Sequence, residues 1–367
     1  MKYGIIHANM PPTLTEGKTL TVIIAACDME ACLPRCLESL LVSDARLLAQ
    51  LEVLVVNDGS KDGTSEVAHA FAAKHPDVVR VIDKENGNYG SCVNRGLDEA
   101  TGAFVKCLDA DDWFDTGAFE RYLAFIEPFA AQTDGPDLIV NDYAMVDAED
   151  HVRRKVAHPD FSVSEMPRLV AKSPLLFAMH AVAYRLNRVR ALGYRQSEGI
   201  SYTDNEWSVY PMANVRSCAR FDGGALYRYW IGRDGQTVAN DAYLRNFWMY
   251  LVLVMRMPAW LAAHRQELAE ENARYLRTRI ALDVYWVYRV WLVNASLPCI
   301  GDDDIARLDE TLVRDAPDVD AAFSELGRVR RGIRAYTRFW RRHRTNPLFR
   351  PIDFLVRRAL RAKTKSS

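Results

Sequence analysis

Three carboxylates end an apolar run in the first half of the chain. Asp109, Asp111 and Asp112 follow residues 103–108, which are mostly apolar. Carboxylates this close cannot all stay ionised unless a positive charge lies between them. Mg²⁺ or Mn²⁺ takes such oxygen ligands, and Mg²⁺ commonly shares its shell with phosphate. The cluster therefore indicates a site for a metal and a diphosphate. The alternative is a plain turn in which Asp115 caps the following helix.

The elements before and after this cluster alternate between strand and helix patterns. Four short apolar runs predict strands, and each is followed by a stretch with helical spacing. The predicted strands cover 20–25, 52–57, 78–83 and 103–108, and the predicted helices cover 30–42, 64–74, 91–100 and 116–126. Four such units predict an α/β fold with a mostly parallel sheet flanked by helices. Beyond Pro136, residues 137–146 and 152–156 predict a hairpin.

Polar loops follow all four predicted strands. Residues 25–30 include Asp28, and residues 57–64 include Asp58 beside two glycines. Residues 85–91 form a glycine-rich turn that opens a helix, and backbone N–H groups at such a helix start suit phosphate. Because parallel strands end at one edge of a sheet, these loops and the acidic cluster should meet there. Four polar loops at one edge indicate a nucleotide site.

In order, these loops resemble those of family 2 glycosyltransferases with the GT-A (Rossmann-like) fold. The resemblance lies in residues 22–30, 56–64, 86–96 and 108–113; it is dense from about 20 to 130 and thin to about 240. It implies a nucleotide-sugar donor, usually UDP-linked, and inverting transfer of its sugar to a hydroxyl. A Mn²⁺ or Mg²⁺ ion on the donor diphosphate is part of the same expectation.

The resemblance also assigns roles to residues. Ala25 and Asp28 would line the uracil and ribose side of the site, and Asp58 would hydrogen-bond the uracil. The donor-binding residues implied in this way are Ala25, Asp28, Asp58, Gly90, Asn94, Asp109 and Arg233. The metal ligands implied are Asp109 and Asp111, while Asp112 either shares the metal or holds the next helix. Cys27 stands where the family often has tyrosine, so ring stacking is not expected there.

Inverting transfer also requires a carboxylate that takes the proton of the acceptor hydroxyl. Residues 201–207 offer Asp204 and Glu206. In the family an acidic pair precedes an aromatic residue, and the second acid of that pair aligns with Asp204, while Thr203 replaces the first. The resemblance therefore implies Asp204 as the base, with Glu206 in reserve. The alternative is that Asp204 caps a helix over 205–212.

Two further side chains are candidates. Arg233 lies in residues 229–238, which look like the family's mobile loop, and it could reach the diphosphate or be a solvated arginine. His180 could be an additional metal or phosphate ligand, or a structural histidine at a strand start.

The chain length of 367 residues predicts either two domains or one large domain with a helical annex. We expect a GT-A domain over 1–240, with a nucleotide half at about 20–130 and an acceptor half at about 131–240, and a helical region over 241–367. No signal-peptide pattern and no uninterrupted apolar span is found in the sequence. Seven cysteines without paired spacing favour reduced thiols and a cytoplasmic location.

The end of the chain is strongly basic. Residues 328–365 contain fourteen Lys and Arg and a single acid, Asp353, so this segment carries +13 and the remainder −14. Residues 338–344 mix aromatics with arginines, and residues 351–361 predict a short amphipathic helix. This pattern favours peripheral contact with an anionic membrane, which suits a lipid-linked acceptor. The alternative is a docked helix with a solvated charged face. A nucleic-acid partner is not expected, because no binding module accompanies the charge.

Together these features predict a metal-dependent inverting glycosyltransferase that acts on a glycan or lipid-linked acceptor in surface polysaccharide biosynthesis. One rival is a sugar-nucleotide nucleotidyltransferase, which would need a glycine-rich basic loop after the first strand; residues 25–30 are not such a loop. The other rival is a non-catalytic scaffold protein, against which the intact acidic cluster and Asp204 argue.

Overall fold

A computed structural model of the chain describes residues 17–160, 177–233, 240–293, 299–326 and 331–343, and positions 354, 355 and 358. The described residues form two compact units. The first contains 17–160 and 177–233, and the second begins at 240. The predicted amphipathic helix over 351–361 and the end of the 229–238 loop lie largely outside the described residues.

The first unit is built around one sheet of nine described strands. They are β1 Leu20–Ala26, β2 Leu51–Asp58, β3 Val79–Lys84, β4 Phe104–Asp109, β5 Trp113–Phe114, β6 Leu138–Val146, β7 Val152–Val156, β8 Val182–Arg185 and β9 Cys218–Trp230. Strands β3, β2, β1 and β4 are parallel neighbours, as the sequence pattern predicts. The sheet continues through β8, β6 and β9 to β5, and β7 pairs antiparallel with β6 as the predicted hairpin.

Seven described α-helices belong to this unit. They are α1 Leu33–Glu38, α2 Ala45–Ala49, α3 Thr64–Lys74, α4 Asn88–Glu99, α5 Thr116–Ala130, α6 Leu186–Ala191 and α7 Asp204–Trp207. The first is shorter than the predicted 30–42. It ends where the Ser39 hydroxyl donates to the Cys36 carbonyl over 2.6 Å and accepts from the Phe114 amide, because a serine bonded to the backbone competes with helix continuation.

The helix after residue 203 also differs from its predicted span of 205–212. It stops at Trp207 and a 3-10 helix follows over Tyr210–Asn214. Pro211 is the second residue of that 3-10 helix, and a proline lacks the N–H that an α-helix interior requires.

The parallel register brings the polar loops to one edge. Ala25 near the end of β1 lies opposite Val56 of β2 and Asp109 of β4. All eight residues of β2 are buried, as expected of an interior parallel strand. The loops that follow β1, β2, β3 and β4 therefore leave the sheet side by side, which positions the site.

The second unit is helical in its described residues, with α8 Asn240–His264, α9 Glu270–Val293, α10 Asp302–Asp315, α11 Pro317–Glu325 and α12 Arg331–His343. The apolar face of α12 is buried within this unit, where Trp340 packs edge-on against Trp291. Arg341 pairs with Asp320 over 2.6 Å and with Asp309. This basic helix is thus docked on its own unit. None of the described helices is both long and apolar enough to cross a membrane.

Candidate active site

Asp58 ties the second polar loop to the third. Its side chain is buried at the end of β2, and its Oδ1 accepts from the Lys84 ammonium over 2.5 Å and from the Gly87 amide over 2.9 Å. The amide at the start of α4, where the sequence suggested a phosphate, therefore already donates to this carboxylate. Asp58 and the glycine-rich turn are therefore joined by hydrogen bonds at the edge of the sheet.

Asp28 fastens the first loop to the second. Its backbone is in the left-handed region, with φ 54°, and its Oδ1 accepts from the Lys61 amide over 2.7 Å. Its own amide donates to the Ser60 hydroxyl over 3.1 Å. Ala25 is half-buried beside these loops. Asp28 thus shapes the predicted base and ribose side through loop conformation.

The three acidic residues have different surroundings. The Asp112 carboxylate accepts from the Tyr227 hydroxyl and from the Trp230 amide, both over 2.7 Å, so it anchors β9. Asp109 Oδ1 is buried and has no hydrogen-bond partner. Burial, reinforced by Asp111 and Asp204, raises the pKa of Asp109 well above its usual range. A buried carboxylate without a counter-charge is costly, so either a proton or a bound cation would stabilise Asp109.

Asp111 meets the predicted loop arginine. The Arg233 guanidinium donates to Asp111 Oδ2 from Nε over 3.0 Å and from Nη2 over 2.8 Å. Both side chains are largely shielded, at 20% and 16% exposure. The structure therefore brings the Arg233 guanidinium to the acidic loop, while its predicted contact with the diphosphate stays a prediction.

His180 lies next to the acidic loop. It sits in a short 3-10 helix, Met179–Ala181, and one of its ring nitrogens lies within 4.8 Å of carboxylate oxygens of Asp109 and Asp112. Burial, followed by the Lys106 charge, lowers the pKa of His180 to about 3, so the imidazole is neutral. Two carboxylates and a neutral imidazole are a donor set that fits a divalent cation. Asp111 is not in this mutually close group.

The two candidate bases are separated by their contacts. Glu206 is buried and accepts from the Ser197 amide over 2.7 Å and from the Ser197 hydroxyl over 2.9 Å, so it holds a loop in place. Asp204 is half-buried, and its charge contributes to the raised pKa of Asp109 and of Tyr229. The structure therefore places Asp204, at the first residue of α7, beside the acidic loop. The N-cap position belongs to Thr203.

Comparison with known proteins assigns the region that carries these loops. Residues 21–161 match the sequence model of glycosyl transferase family 2. These residues form a family 2 glycosyltransferase domain. The chain is 30% identical to EpsH of Bacillus subtilis over 129 residues, which are 35% of this chain and 35% of EpsH. It is 29% identical over 114 residues to GgaB of the same organism, a minor teichoic acid biosynthesis protein, covering 31% of this chain and 13% of GgaB.

A solved structure extends the similarity along the chain. Residues 1–349 of S. aureus TarS, in complex with UDP-GlcNAc, superpose with a TM-score of 0.63 at 17% identity, covering 95% of this chain and 92% of that one. This confirms the predicted fold, a GT-A α/β sheet with a helical C-terminal region. The chain spans about a third of EpsH and less of GgaB, so the similarity to these relatives is confined to the glycosyltransferase domain.

Two predicted donor-binding residues of the glycosyltransferase domain have packing roles. The Asn94 amide donates to the Gln196 carbonyl over 2.9 Å and to Glu198 over 2.8 Å, and it accepts from the Gln196 amide. Gly90 lies against the Ser197 backbone, so close that an added Cβ would stand 1.9 Å from the carbonyl oxygen. Both residues join α4 to the segment that precedes Asp204.

Gly90→Ala is therefore expected to destabilise the domain. The methyl group would push Ser197 away, and overpacking of this kind costs about 1–3 kcal/mol. Gly117→Ala is the matched control, because its Cβ would come no closer than 3.5 Å to a flexible arginine tip. That control should be neutral or stabilising by up to about 1 kcal/mol. Denaturant unfolding of both variants measures the difference, and equal effects would contradict the packing role of Gly90.

Two residues of the site were not singled out from the sequence. Lys84 pairs with Asp58, and a lysine just after the third predicted strand, at the same edge as the other loops, was a usable signal. Tyr227 donates to Asp112 and accepts from the Asp109 amide over 3.2 Å. It lies 115 residues from Asp112, and no local pattern marks it.

Without metal, the glycosyltransferase domain should lose stability as the pH rises. Burial first, and then neighbouring acids, raises the folded-state pKa of Asp109 and Asp112 above the ordinary 3.8. Their contribution to stability is therefore complete below the unfolded pKa and is lost as the pH rises through the folded pKa. Mn²⁺ should raise the melting temperature more at about pH 8 than at about pH 5, because protons compete for the same oxygens. Calorimetry at both pH values measures this, and the absence of any Mn²⁺ shift would contradict it.

Proposed function

We propose that the chain is a metal-dependent inverting glycosyltransferase that moves a sugar from a UDP-linked donor to a hydroxyl of a glycan or lipid-linked acceptor. One observation carries the proposal: the buried, unpartnered Asp109 oxygen lies within electrostatic reach of Asp204, at the sheet edge where the polar loops leave. At this edge, the negative charge that develops on the departing diphosphate can be stabilised, and the proton of the acceptor hydroxyl can be removed.

The loops after β1, β2 and β3 are proposed to hold the nucleotide. Asp58, fixed by Lys84 and Gly87, would accept a hydrogen bond from the base, and Ala25 and Asp28 would line the base and ribose side. Support for UDP comes from the TarS fragment of the same fold, which was solved with UDP-GlcNAc. Gly90 and Asn94 would act on the donor indirectly, by fixing the helix start beside it.

Asp109 and Asp111 are the proposed metal ligands of the acidic loop. A bound divalent cation would neutralise the charge that develops on the departing diphosphate. Arg233 is paired with Asp111, and we propose that it shifts to the diphosphate when the donor binds. A guanidinium suits such an exchange because carboxylate and phosphate match its donor geometry equally well. Asp109 would keep its buried position while Arg233 shifts. Its backbone amide donates to the Tyr227 hydroxyl, which holds it in place.

Asp204 is the proposed general base. Its carboxylate would take the proton of the acceptor hydroxyl while that oxygen forms a bond to the anomeric carbon and the bond to the diphosphate oxygen breaks. The nucleoside diphosphate then leaves, and configuration at the anomeric carbon is inverted. Glu206 is the less suitable candidate for this step, because each of its oxygens already accepts a hydrogen bond from Ser197. General-base assistance of this kind contributes about 10²–10⁴-fold to rate.

We propose surface polysaccharide biosynthesis as the setting and the cytoplasmic face of the membrane as the location. Support comes from the relative GgaB, a teichoic acid biosynthesis protein, and from the seven cysteines, none of which is paired. Phe354 and Leu355 are 63% and 61% exposed beside the basic Arg358, as an interfacial contact requires.

Membrane contact is tested by flotation. The full chain should float with vesicles containing anionic lipid, whereas a chain ending at Arg350 should float less, since each basic residue near the surface contributes about 1 kcal/mol. Zwitterionic vesicles are the control and should recruit neither form. Equal flotation of both forms would show that residues 351–365 do not bind the membrane. The proposed transfer reaction would not be affected by that result.

The reaction class is tested by nucleotide release. Purified protein with Mn²⁺ is incubated with UDP-, GDP- and dTDP-sugars, and free nucleoside diphosphate is measured, because glycosyltransferases hydrolyse their own donors slowly without acceptor. Release from a UDP-sugar, and not from the others, is expected. Formation of a nucleotide-sugar and pyrophosphate from UTP and a sugar phosphate would instead establish the nucleotidyltransferase. Activity with none of these compounds would favour the scaffold.

A further inference from the structure

Lys106 is a buried lysine in the interior strand β4, just before the acidic loop. It stands opposite Val22 of β1, and its side chain is fully shielded from solvent. Its ammonium donates to Asn141 Oδ1 over 2.9 Å, to the His180 carbonyl over 3.0 Å and to the Val182 carbonyl over 3.2 Å. None of these three partners carries a negative charge. A buried ammonium without a carboxylate beside it is costly, and interior parallel strands are normally apolar, so this residue requires a functional explanation.

The lysine holds the chain at the point where two strand pairings end. Strand β4 pairs with β8 as far as Val105, and Lys106 is the next residue. Strand β6 pairs with β8 as far as Val140, and Asn141 is the next residue. The Asn141 side-chain amide donates to the same His180 carbonyl as the lysine does, over 3.1 Å. Two side chains, one from each neighbouring strand, thus fix the short 3-10 helix that precedes β8.

The first residue of this 3-10 helix contacts the start of α4. The Met179 sulfur accepts a hydrogen bond from the Tyr89 hydroxyl over 3.4 Å. Burial, followed by the charges of Asp109, Cys107 and Asp204, raises the pKa of Tyr89 well above its usual range, so the phenol stays neutral. Its hydroxyl is therefore within electrostatic reach of both the acidic loop and the proposed base. Through Met179, the 3-10 helix supports a side chain that borders both.

The second residue of the 3-10 helix contacts β9. The His180 ring stacks on Tyr229 at a centroid distance of 4.6 Å and meets Tyr227 edge-on, also at 4.6 Å. The Tyr227 hydroxyl in turn donates to Asp112 and accepts from the Asp109 amide. The 3-10 helix therefore packs against the residue that holds the acidic loop, and a shift of the helix would reach that loop.

We propose that Lys106 is a positioning residue of the transfer reaction, because with Asn141 it fixes the 3-10 helix and so keeps the acidic loop aligned with Asp204. The inference rests on the proposed function and adds the element that aligns its two halves. Transfer requires the diphosphate and the acceptor hydroxyl on opposite sides of the anomeric carbon, and a misplacement of about 1 Å can cost about 10²-fold in rate. A lysine suits this role because its ammonium offers three donors on one flexible stem.

The first test is the release of nucleotide from a UDP-sugar with Mn²⁺ by Lys106→Met, which keeps the unbranched stem and removes all three donors. We expect kcat to fall about 10–100-fold and KM for the donor to change by less than about threefold, because alignment matters most in the transition state. Lys18→Met is the matched control. The Lys18 ammonium also donates to three oxygens, the carbonyls of Ala49, Leu51 and Asp77, but at the opposite end of the sheet, so kcat should stay unchanged.

A second measurement does not depend on activity. Amide hydrogen exchange, followed by mass spectrometry, should become faster over residues 177–185 in Lys106→Met, because the 3-10 helix loses its anchor and opens more often. The same peptide should exchange at the original rate in Lys18→Met. Asn141→Leu removes the second donor to the His180 carbonyl, and it should show the same pattern as Lys106→Met if that variant does not fold.

Three outcomes would overturn the proposal: an unchanged kcat in folded Lys106→Met, an equal loss of kcat in Lys18→Met, or unchanged exchange over residues 177–185. Failure of the proposed function would give a different result. The unaltered protein would then release no nucleotide, while exchange over 177–185 would still respond to Lys106→Met and not to Lys18→Met. That result would refute the transfer reaction and confirm that Lys106 anchors the 3-10 helix.

Discussion

Asp204→Asn is expected to lower the rate of sugar transfer by about 10²–10⁴-fold while donor affinity stays nearly the same. The amide keeps the shape of the side chain but cannot take the acceptor proton. Asp204 acts only in transfer under this account, so kcat should fall and the affinity for UDP should not. The measurement is transfer kinetics with an established donor and acceptor, together with UDP titration of the same preparation.

Two control variants sharpen this expectation. Asp222→Asn removes an exposed carboxylate of β9 and should leave kcat unchanged. Glu206→Gln weakens the anchor of Ser197 and should act mainly on stability, by about 1–3 kcal/mol for a buried charged hydrogen bond. Full transfer by a folded Asp204→Asn protein would show that the base lies elsewhere, and a selective kcat loss in Glu206→Gln would point to the reserve candidate.

Asp109→Asn is expected to weaken Mn²⁺-dependent UDP binding by at least about tenfold and, at the same time, to stabilise the metal-free protein at about pH 8. The opposite signs have one cause. Burial and the charges of Asp111 and Asp204 make the Asp109 carboxylate costly in the folded state, so a neutral amide removes that cost together with the metal ligand. Calorimetric titration measures the affinity for UDP in the presence of Mn²⁺, and thermal unfolding measures the stability of the metal-free protein.

The control for Asp109→Asn is Asp77→Asn, which changes an exposed carboxylate in the turn before β3 and should alter neither quantity. A variant of Asp109 that lost stability and kept UDP affinity would mean that the carboxylate is structural. Loss of both would indicate a folding defect and would require the amide to be tested at Asp111 before any conclusion on the metal.

The sequence was sufficient for the half of the fold in which local pattern decides structure. Interior parallel strands such as β2 are short apolar runs, and the loops after them are polar, so strand ends and candidate residues could be located together. The same rules predicted some helices too long. This happened where a side chain bonds to the backbone, as at Ser39, and where a proline intervenes, as at Pro211.

Contacts between distant segments could not be predicted in this way. The Arg233–Asp111 pair and the Tyr227–Asp112 hydrogen bond join residues more than a hundred positions apart, through β9. The sequence favoured Asp204 as the base with Glu206 in reserve, and the different surroundings of the two carboxylates follow from where Ser197 lies. Such contacts depend on the tertiary arrangement of β9, α4 and α7, which leaves no periodic signal in the chain.

The most direct test of the central claim is calorimetric titration of UDP into the purified protein with Mn²⁺, with EDTA and with Asp111→Ala. A nucleotide-sugar transferase whose acidic loop holds the metal–diphosphate should bind UDP with Mn²⁺, lose most of that affinity in EDTA, and lose it again in Asp111→Ala with Mn²⁺ present. Binding of GDP or dTDP in place of UDP would keep the site and change the donor. Absence of nucleotide binding under every condition would contradict the account.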